Sequence, residues 1–185
     1  MEERIVIAGF GGQGIMAIGQ LLTYAGMMEN KNVSWLPSYG PEMRGGTANC
    51  NVIISTDAVG SPVVTESTAA IVMNKPSLDK FEKSVMPGGK LFINSSLIDR
   101  KATRDDIEVY YIPANEIANE LGNIKVANMV MLGAFIEATN VVQKENIFDK
   151  AFVEVFGEKR LNLIPLNKEA FERGAKLIRE QKVAL

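Results

Sequence analysis

The sequence contains no histidine and a single cysteine, Cys50. Without histidine, the side chain that most often acts as a general base near neutral pH is missing. Ser-His-Asp and Cys-His mechanisms are therefore excluded within this chain. One cysteine makes no intrachain disulfide and cannot supply a four-cysteine zinc or iron–sulfur site. No apolar run is long enough to span a bilayer, so no membrane partner is expected. No secretory leader is recognisable after Met1-Glu2-Glu3-Arg4, and with no disulfide this points to a reducing cytoplasm. Positive charge is not in excess either. Twenty basic against 22 acidic residues give a net charge of −2, which argues against a nucleic-acid partner.

What is present is globular. With 185 residues, 46% apolar and 23% charged, the chain can bury one substantial core. Short β-branched runs predict strands at 4–9, 33–36, 50–55, 69–73 and 107–112, and a strand at 90–94 after a Pro87-Gly88-Gly89 turn. Ser61-Pro62-Val63-Val64 reads as a short extended piece able to pair with the 50–55 strand. Helical spacing covers 13–29, 114–121, 126–139, 145–156 and 168–181, and Pro76 opens a helix carrying Leu78 and Phe81. In the last helix Phe171, Ala175 and Ile178 share a face, and Glu172 and Lys176 are spaced to pair outside it. Residues 99–106 read as a charged, solvated connection. The expected architecture is one α/β domain over 1–185. It is three-layered and Rossmann-like, with a mostly parallel or mixed sheet and a helical C-terminal portion.

Two motifs carry chemistry. Gly9-Phe10-Gly11-Gly12-Gln13-Gly14 fits G-x-G-x-x-G between a strand and a helix. Its glycines suit a backbone cradle for phosphate at a helix N-terminus, and equally a tight turn off a buried strand. A dinucleotide site also needs an acid ending the second strand, but Trp35-Leu36-Pro37-Ser38 stands there. A Walker A loop needs Lys-Ser or Lys-Thr after the last glycine, where Ile15-Met16 stands. The second motif is Ser38-Tyr39-Gly40-Pro41-Glu42-Met43-Arg44-Gly45-Gly46-Thr47. Arg44 can present its planar fork to a carboxylate or phosphate, or pair locally with Glu42. Tyr39 can stack on a ligand or cap the core. Cys50 reads as a small buried hydrophobe, and Asp105-Asp106 as a solvated turn. The stretch 128–134 is apolar nearly all round, which places it at the domain's centre or against a partner.

Taken together, the glycine motif with Ile15, the 38–46 motif, Ser61-Pro62 and the 128–134 helix resemble the γ subunit of 2-oxoacid:ferredoxin (acceptor) oxidoreductases across essentially the whole chain. The resemblance implies a complex that oxidatively decarboxylates a 2-oxoacid to an acyl-CoA. Thiamine diphosphate would sit on α and β partner subunits, and iron–sulfur clusters on partner chains. Electrons would pass to ferredoxin. It also implies that this chain is inactive alone, holds no metal and no catalytic residue, and serves assembly near the coenzyme A entrance. Isolated chains could form a homodimer through exposed apolar surface. The residues carried over to the glycine loop, facing a partner or coenzyme A, are Gly9, Gly11, Gly12, Gln13 and Gly14. Tyr39, Glu42, Arg44, Gly45 and Gly46 are carried over to the second loop. The form of the 38–46 motif is more like 2-oxoglutarate or branched-chain members than pyruvate members, with 2-oxoglutarate preferred. The alternatives are ketoisovalerate, pyruvate and indolepyruvate enzymes, or a free-standing module that binds coenzyme A or a nucleotide.

Overall fold

A computed structural model describes residues 1–39 and 47–183. Six strands form one sheet in the order β2-β3-β1-β4-β5-β6. They are β1 (Glu2–Phe10), β2 (Asn32–Tyr39), β3 (Thr47–Ser55), β4 (Ser67–Val72), β5 (Val85–Asn94) and β6 (Glu108–Ile112). Helix α1 (Ile15–Met28) follows β1, and α2 (Lys75–Phe81) follows β4. The C-terminal part holds α3 (Ala114–Glu120), α4 (Ala127–Thr139), α5 (Lys144–Asn146), α6 (Phe152–Phe156) and α7 (Ile164–Val183).

The sheet alternates as a two-sided buried sheet must. Ile5 and Ile7 of β1, with Ile71 of β4, enter the larger core beneath α1 and α4. Val6 and Ala8, with Ala70 and Val72, enter a smaller core with Leu78 of α2. The α/β class and three layers are as the sequence predicts, and the sheet is mixed. β1, β4, β5 and β6 run parallel to one another, whereas β3 is antiparallel to both β1 and β2. A parallel return needs a dozen or more connecting residues. Between Tyr39 and Thr47 the chain has too few, so β3 folds back beside β2 and separates it from β1.

Several local expectations are corrected. Residues 61–64 form no strand. Both edges of β3, the expected partner, are already taken by β2 and β1, and the Ser61 hydroxyl accepts the Val63 N–H in a bend. Pro87-Gly88-Gly89 lies inside β5 as a bulge: Ser67 is matched to Val85, but Ala69 to Lys90. Gly88, at φ +75, donates its N–H to the Asp106 carbonyl. The helix expected at 145–156 is interrupted by a π-helical segment, Ile147–Ala151, where Phe148 packs edge-on against Phe171 of α7. Glu172 does not pair with Lys176. It binds Lys144 and Arg179 instead, and Lys176 turns to Glu180.

Residues 99–106 are not merely a solvated connection. Glu82, only 5% exposed, accepts the Thr103 N–H, the Thr103 hydroxyl and the Arg100 guanidinium, pinning the segment over the smaller core. Arg104 reaches the carbonyls of Glu82 and Val85 and pairs with Asp106.

The remaining alternative concerned 128–134. Ten residues of α4 are buried, so the helix is central to the domain. It meets α7 backbone to backbone. A Cβ on Gly133 would overlap the Phe171 carbonyl, and one on Gly174 the Val130 carbonyl.

Two outcomes are expected. Gly174→Ala should lower stability by about 1–3 kcal/mol through overpacking, read as a shift in the urea midpoint at unchanged slope. The second concerns acid. Burial works to raise the Glu82 pKa, but hydrogen bonds from Thr103 and Arg100 outweigh it and hold the carboxyl below its ordinary 4.5. That stabilisation is complete above the unfolded value and is lost as pH falls through the lower folded value. Acid titration of stability should therefore be shallower for Glu82→Gln than for the wild type below about pH 4.5.

Candidate functional site

β1 and β4 are parallel neighbours whose following helices leave to opposite faces, α1 into the larger core and α2 into the smaller. The carboxyl ends of such a strand pair form the crevice where open α/β sheets place ligands. The glycine motif lies there. Three of its glycines answer a packing or backbone demand. A Cβ on Gly9 would come within 2.6 Å of the Gln13 Oε1 and 2.8 Å of the Met73 Cβ. Gly12 and Gly14 have φ of +92 and +74, in the region that disfavours side chains. Gly14 caps α1 in the left-handed conformation with no side-chain cap, and no acidic residue occupies the first turn. The first N–H groups of α1 consequently keep their capacity and partial positive charge for an incoming acceptor.

Two carboxamides hold this loop. The Gln13 Oε1 accepts the Phe10 N–H at 2.6 Å, and its Nε2 donates to the Met73 carbonyl at 3.4 Å, tying β1 to the end of β4. Asn128, in the first turn of α4, donates its Nδ2 to the Gly14 carbonyl at 3.4 Å and fills the space where a Gly14 side chain would go. Gln13 thus faces inward and shapes the loop.

In front of the loop lies a groove of about 410 Å³, within the range of small-molecule sites. Gly11, Gly12, Gly14 and Tyr39, all singled out from the sequence, line it together. The strand register explains the meeting: Phe10 pairs with Thr47, and Tyr39 with Ala48, so the ends of three strands share one rim. Phe10 and Tyr39 are 37% and 52% exposed, an unusual outlay of aromatic surface. Gly9 and Gln13 brace the groove from beneath. Glu42, Arg44, Gly45 and Gly46 lie outside the described residues. The sequence reading quoted Phe10, Ile15 and Thr47 in its motifs without giving them a site role, and missed the lining residues Met16, Ala17 and Ala48 and the brace Asn128. Asn128 carried a usable signal, being the polar residue that opens an otherwise apolar helix.

The described lining of the groove carries no charge. Among the described residues no group of histidine, cysteine, aspartate or glutamate could hold a metal ion, and no helix is long and apolar enough to cross a membrane. Cys50 is fully buried beside Trp35 and Gly19. Burial pushes its thiol up to about 12, against the opposing effect of the Trp35 indole.

This is an α/β domain whose strand-end loop offers backbone N–H groups rather than reactive side chains. The chain belongs to the pyruvate ferredoxin/flavodoxin oxidoreductase family, whose model matches residues 4–177. It is 38% identical over 97% of its length to a ketoisovalerate oxidoreductase subunit (VorA) of Methanothermobacter thermautotrophicus, but spans only 37% of that relative. It is 34% identical to a 2-oxoglutarate synthase subunit (KorC) of Methanocaldococcus jannaschii, across 97% of this chain and 96% of that one. The γ subunit of a keto/oxoacid ferredoxin oxidoreductase from Geobacter sulfurreducens superposes with a TM-score of 0.79 at 29% identity, covering 96% and 99% of the two chains. A 2-oxoglutarate:ferredoxin oxidoreductase from Magnetococcus marinus, solved with 2-oxoglutarate, coenzyme A and succinyl-CoA, shares the fold with a TM-score of 0.88. Its identity is 23%, over 97% of this chain and 31% of that one.

Cys50 should behave as packing. Iodoacetamide at pH 8 should leave it unmodified in the folded protein and label it fully in urea, as read by intact-mass spectrometry.

Proposed function

We propose that this chain is the γ component of a multisubunit 2-oxoacid:ferredoxin oxidoreductase, and that its glycine-loop groove receives coenzyme A. The observation that carries the reading is the uncapped α1 N-terminus opening on a groove with exposed aromatic walls. Backbone N–H groups and a helix dipole suit phosphates, and aromatic walls suit a base. The chain contains no histidine, and its one cysteine is buried, so it supplies neither an imidazole base nor an accessible thiol. Thiamine chemistry and iron–sulfur electron transfer belong, in this reading, to α, β and iron–sulfur partners, with ferredoxin as acceptor. This chain contributes binding and orientation: Gly11, Gly12 and Gly14 let the backbone approach the anion, Gln13 and Asn128 fix the loop, and Tyr39 and Phe10 face the ligand. Glu42, Arg44, Gly45 and Gly46 stay assigned to the second loop by the family resemblance alone. The relative solved with coenzyme A supports the ligand class.

For the 2-oxoacid we retain 2-oxoglutarate, on the form of the 38–46 motif and the relative of matching length. The 38% identity to a ketoisovalerate oxidoreductase subunit favours a branched-chain substrate as the second reading. An anaerobic affinity purification of the tagged chain from its own cells should retain thiamine- and iron–sulfur-containing chains and give 2-oxoacid-dependent dye reduction. Faster reduction with 2-oxoglutarate than with 2-ketoisovalerate supports the first reading, and the reverse order the second. Recovery of the chain alone would contradict both.

A further inference from the structure

Charge is missing from one flank of the molecule. Among the described residues from Ile5 to Thr56 the only charged side chains are Glu29 and Lys31, and these pair with each other at 2.7 Å. Helix α1 lies within this stretch and carries no charge from Ile15 to Met28. Its inward positions, among them Ile18, Leu22 and Ala25, are buried. Its outward positions are Met16, Gln20, Thr23, Tyr24 and Met27, one stripe at helical spacing, about 17 Å long. Met27 is 53% exposed, and the other four are half-buried. Neither the Gln20 carboxamide nor the Tyr24 hydroxyl has a hydrogen-bond partner among the described residues.

A helix that meets water ordinarily carries charge on its outer face. α7 does so, with Lys168, Glu169, Lys176 and Glu180 all exposed. Methionine and tyrosine in place of lysine and glutamate are the composition of an interface core. The stripe also has a fixed place relative to the ligand groove, because Met16 lies in both. In the reading above, the groove presents its ligand to chemistry on another polypeptide, which has to close over the groove mouth. A chain seated there continues onto α1 without a gap. Relatives in which this domain is joined to further polypeptide indicate what that chain is: the domain makes up only 37% of the VorA subunit. Permanently paired surfaces are the apolar ones. Two copies of this chain crossing at the stripe would bury only about 200 Å² each, against roughly 800 Å² per partner in a stable interface. A chain that also closes the groove covers more.

We propose that the α1 stripe is the docking surface for an uncharged, apolar face of the polypeptide equivalent to the remainder of those longer relatives. That face covers Gln20, Thr23, Tyr24 and Met27 and gives the Gln20 and Tyr24 side chains their hydrogen bonds. The proposal rests on the γ-component reading and adds to it the face by which the chain is held.

Charge placed on the stripe tests it. The tagged full chain is purified anaerobically from its own cells as wild type, Met27→Lys, Gln20→Glu and Glu169→Lys, and the retained chains are quantified by mass spectrometry. Glu169→Lys alters charge on α7, away from the stripe. Both stripe variants should melt with the wild type yet retain at least about tenfold less of the thiamine-containing chains, because docking would bury an unpaired charge. Glu169→Lys should retain them fully. Gln20→Glu keeps the side chain's shape and decides the matter where Met27→Lys melts early. Stripe variants that keep those chains at the wild-type level overturn the docking surface and leave the γ-component reading standing. So does an equal loss from Glu169→Lys. A wild type that retains only further copies of itself, or no chain at all, overturns both.

Discussion

The backbone contact between α4 and α7 is the constraint on which the rest of the molecule depends. α4 is apolar on every side, so no orientation of it can face water without cost. The sheet covers one flank, and α7 must cover another. Glycines at 133 and 174 allow the two helices to approach until backbone meets backbone. That approach fixes the height of α4 against the sheet, and with it the position of Asn128 at the helix start. Asn128 in turn occupies the space behind Gly14 and sets the conformation in which α1 begins. A packing requirement deep in the core is thus passed, through one carboxamide, to the backbone of the ligand groove.

The described lining of the groove is uncharged. What it offers an anion is N–H groups at a helix start, whose direction is set by the fold rather than by side-chain rotamers. Such a site needs little reorganisation when an anion arrives, which is where preorganised donors gain over flexible ones. The same economy explains the absences in the sequence. In the proposed role, presenting a cofactor to chemistry performed on other chains, the domain has no use for histidine, and its one thiol packs beside Trp35. The charged residues are spent elsewhere, most visibly around Glu82. There four donors from residues 100–104 convert a long connection into a fixed cover for the smaller core.

Much of this was legible because it is local. The run into Gly9 and the helical spacing after Gly14 identify β1 and α1 from their own residues, and the all-round apolar character of α4 announces its burial. The features that were not legible depend on partners remote in sequence. Ser61-Pro62-Val63-Val64 has strand composition, but whether it pairs depends on which edges β2 and β1 already occupy. The bulge at Pro87-Gly88-Gly89 depends on the match to β4 and on the Asp106 carbonyl. Glu172 has a well-spaced partner on its own helix and yet pairs with Lys144, because the turn after α4 brings that ammonium nearer. In the site, glycine spacing identified the loop, and Tyr39 was found by its motif. Gln13 was placed in the loop, but its inward brace to Met73 required the β1–β4 register. The cavity behind the loop brings Gly12, Gln13 and Met73 together with residues from 115 to 128 and left no signature along the chain.

The central claim is that the glycine loop at the carboxyl ends of β1 and β4 is where this domain meets coenzyme A. Hydrogen–deuterium exchange of the full chain with and without coenzyme A tests it most directly. The account predicts slowed exchange in peptides covering residues 10–17, with the α4–α7 core unchanged. Slowed exchange confined to other regions, with the loop amides exchanging as in the free protein, would contradict it.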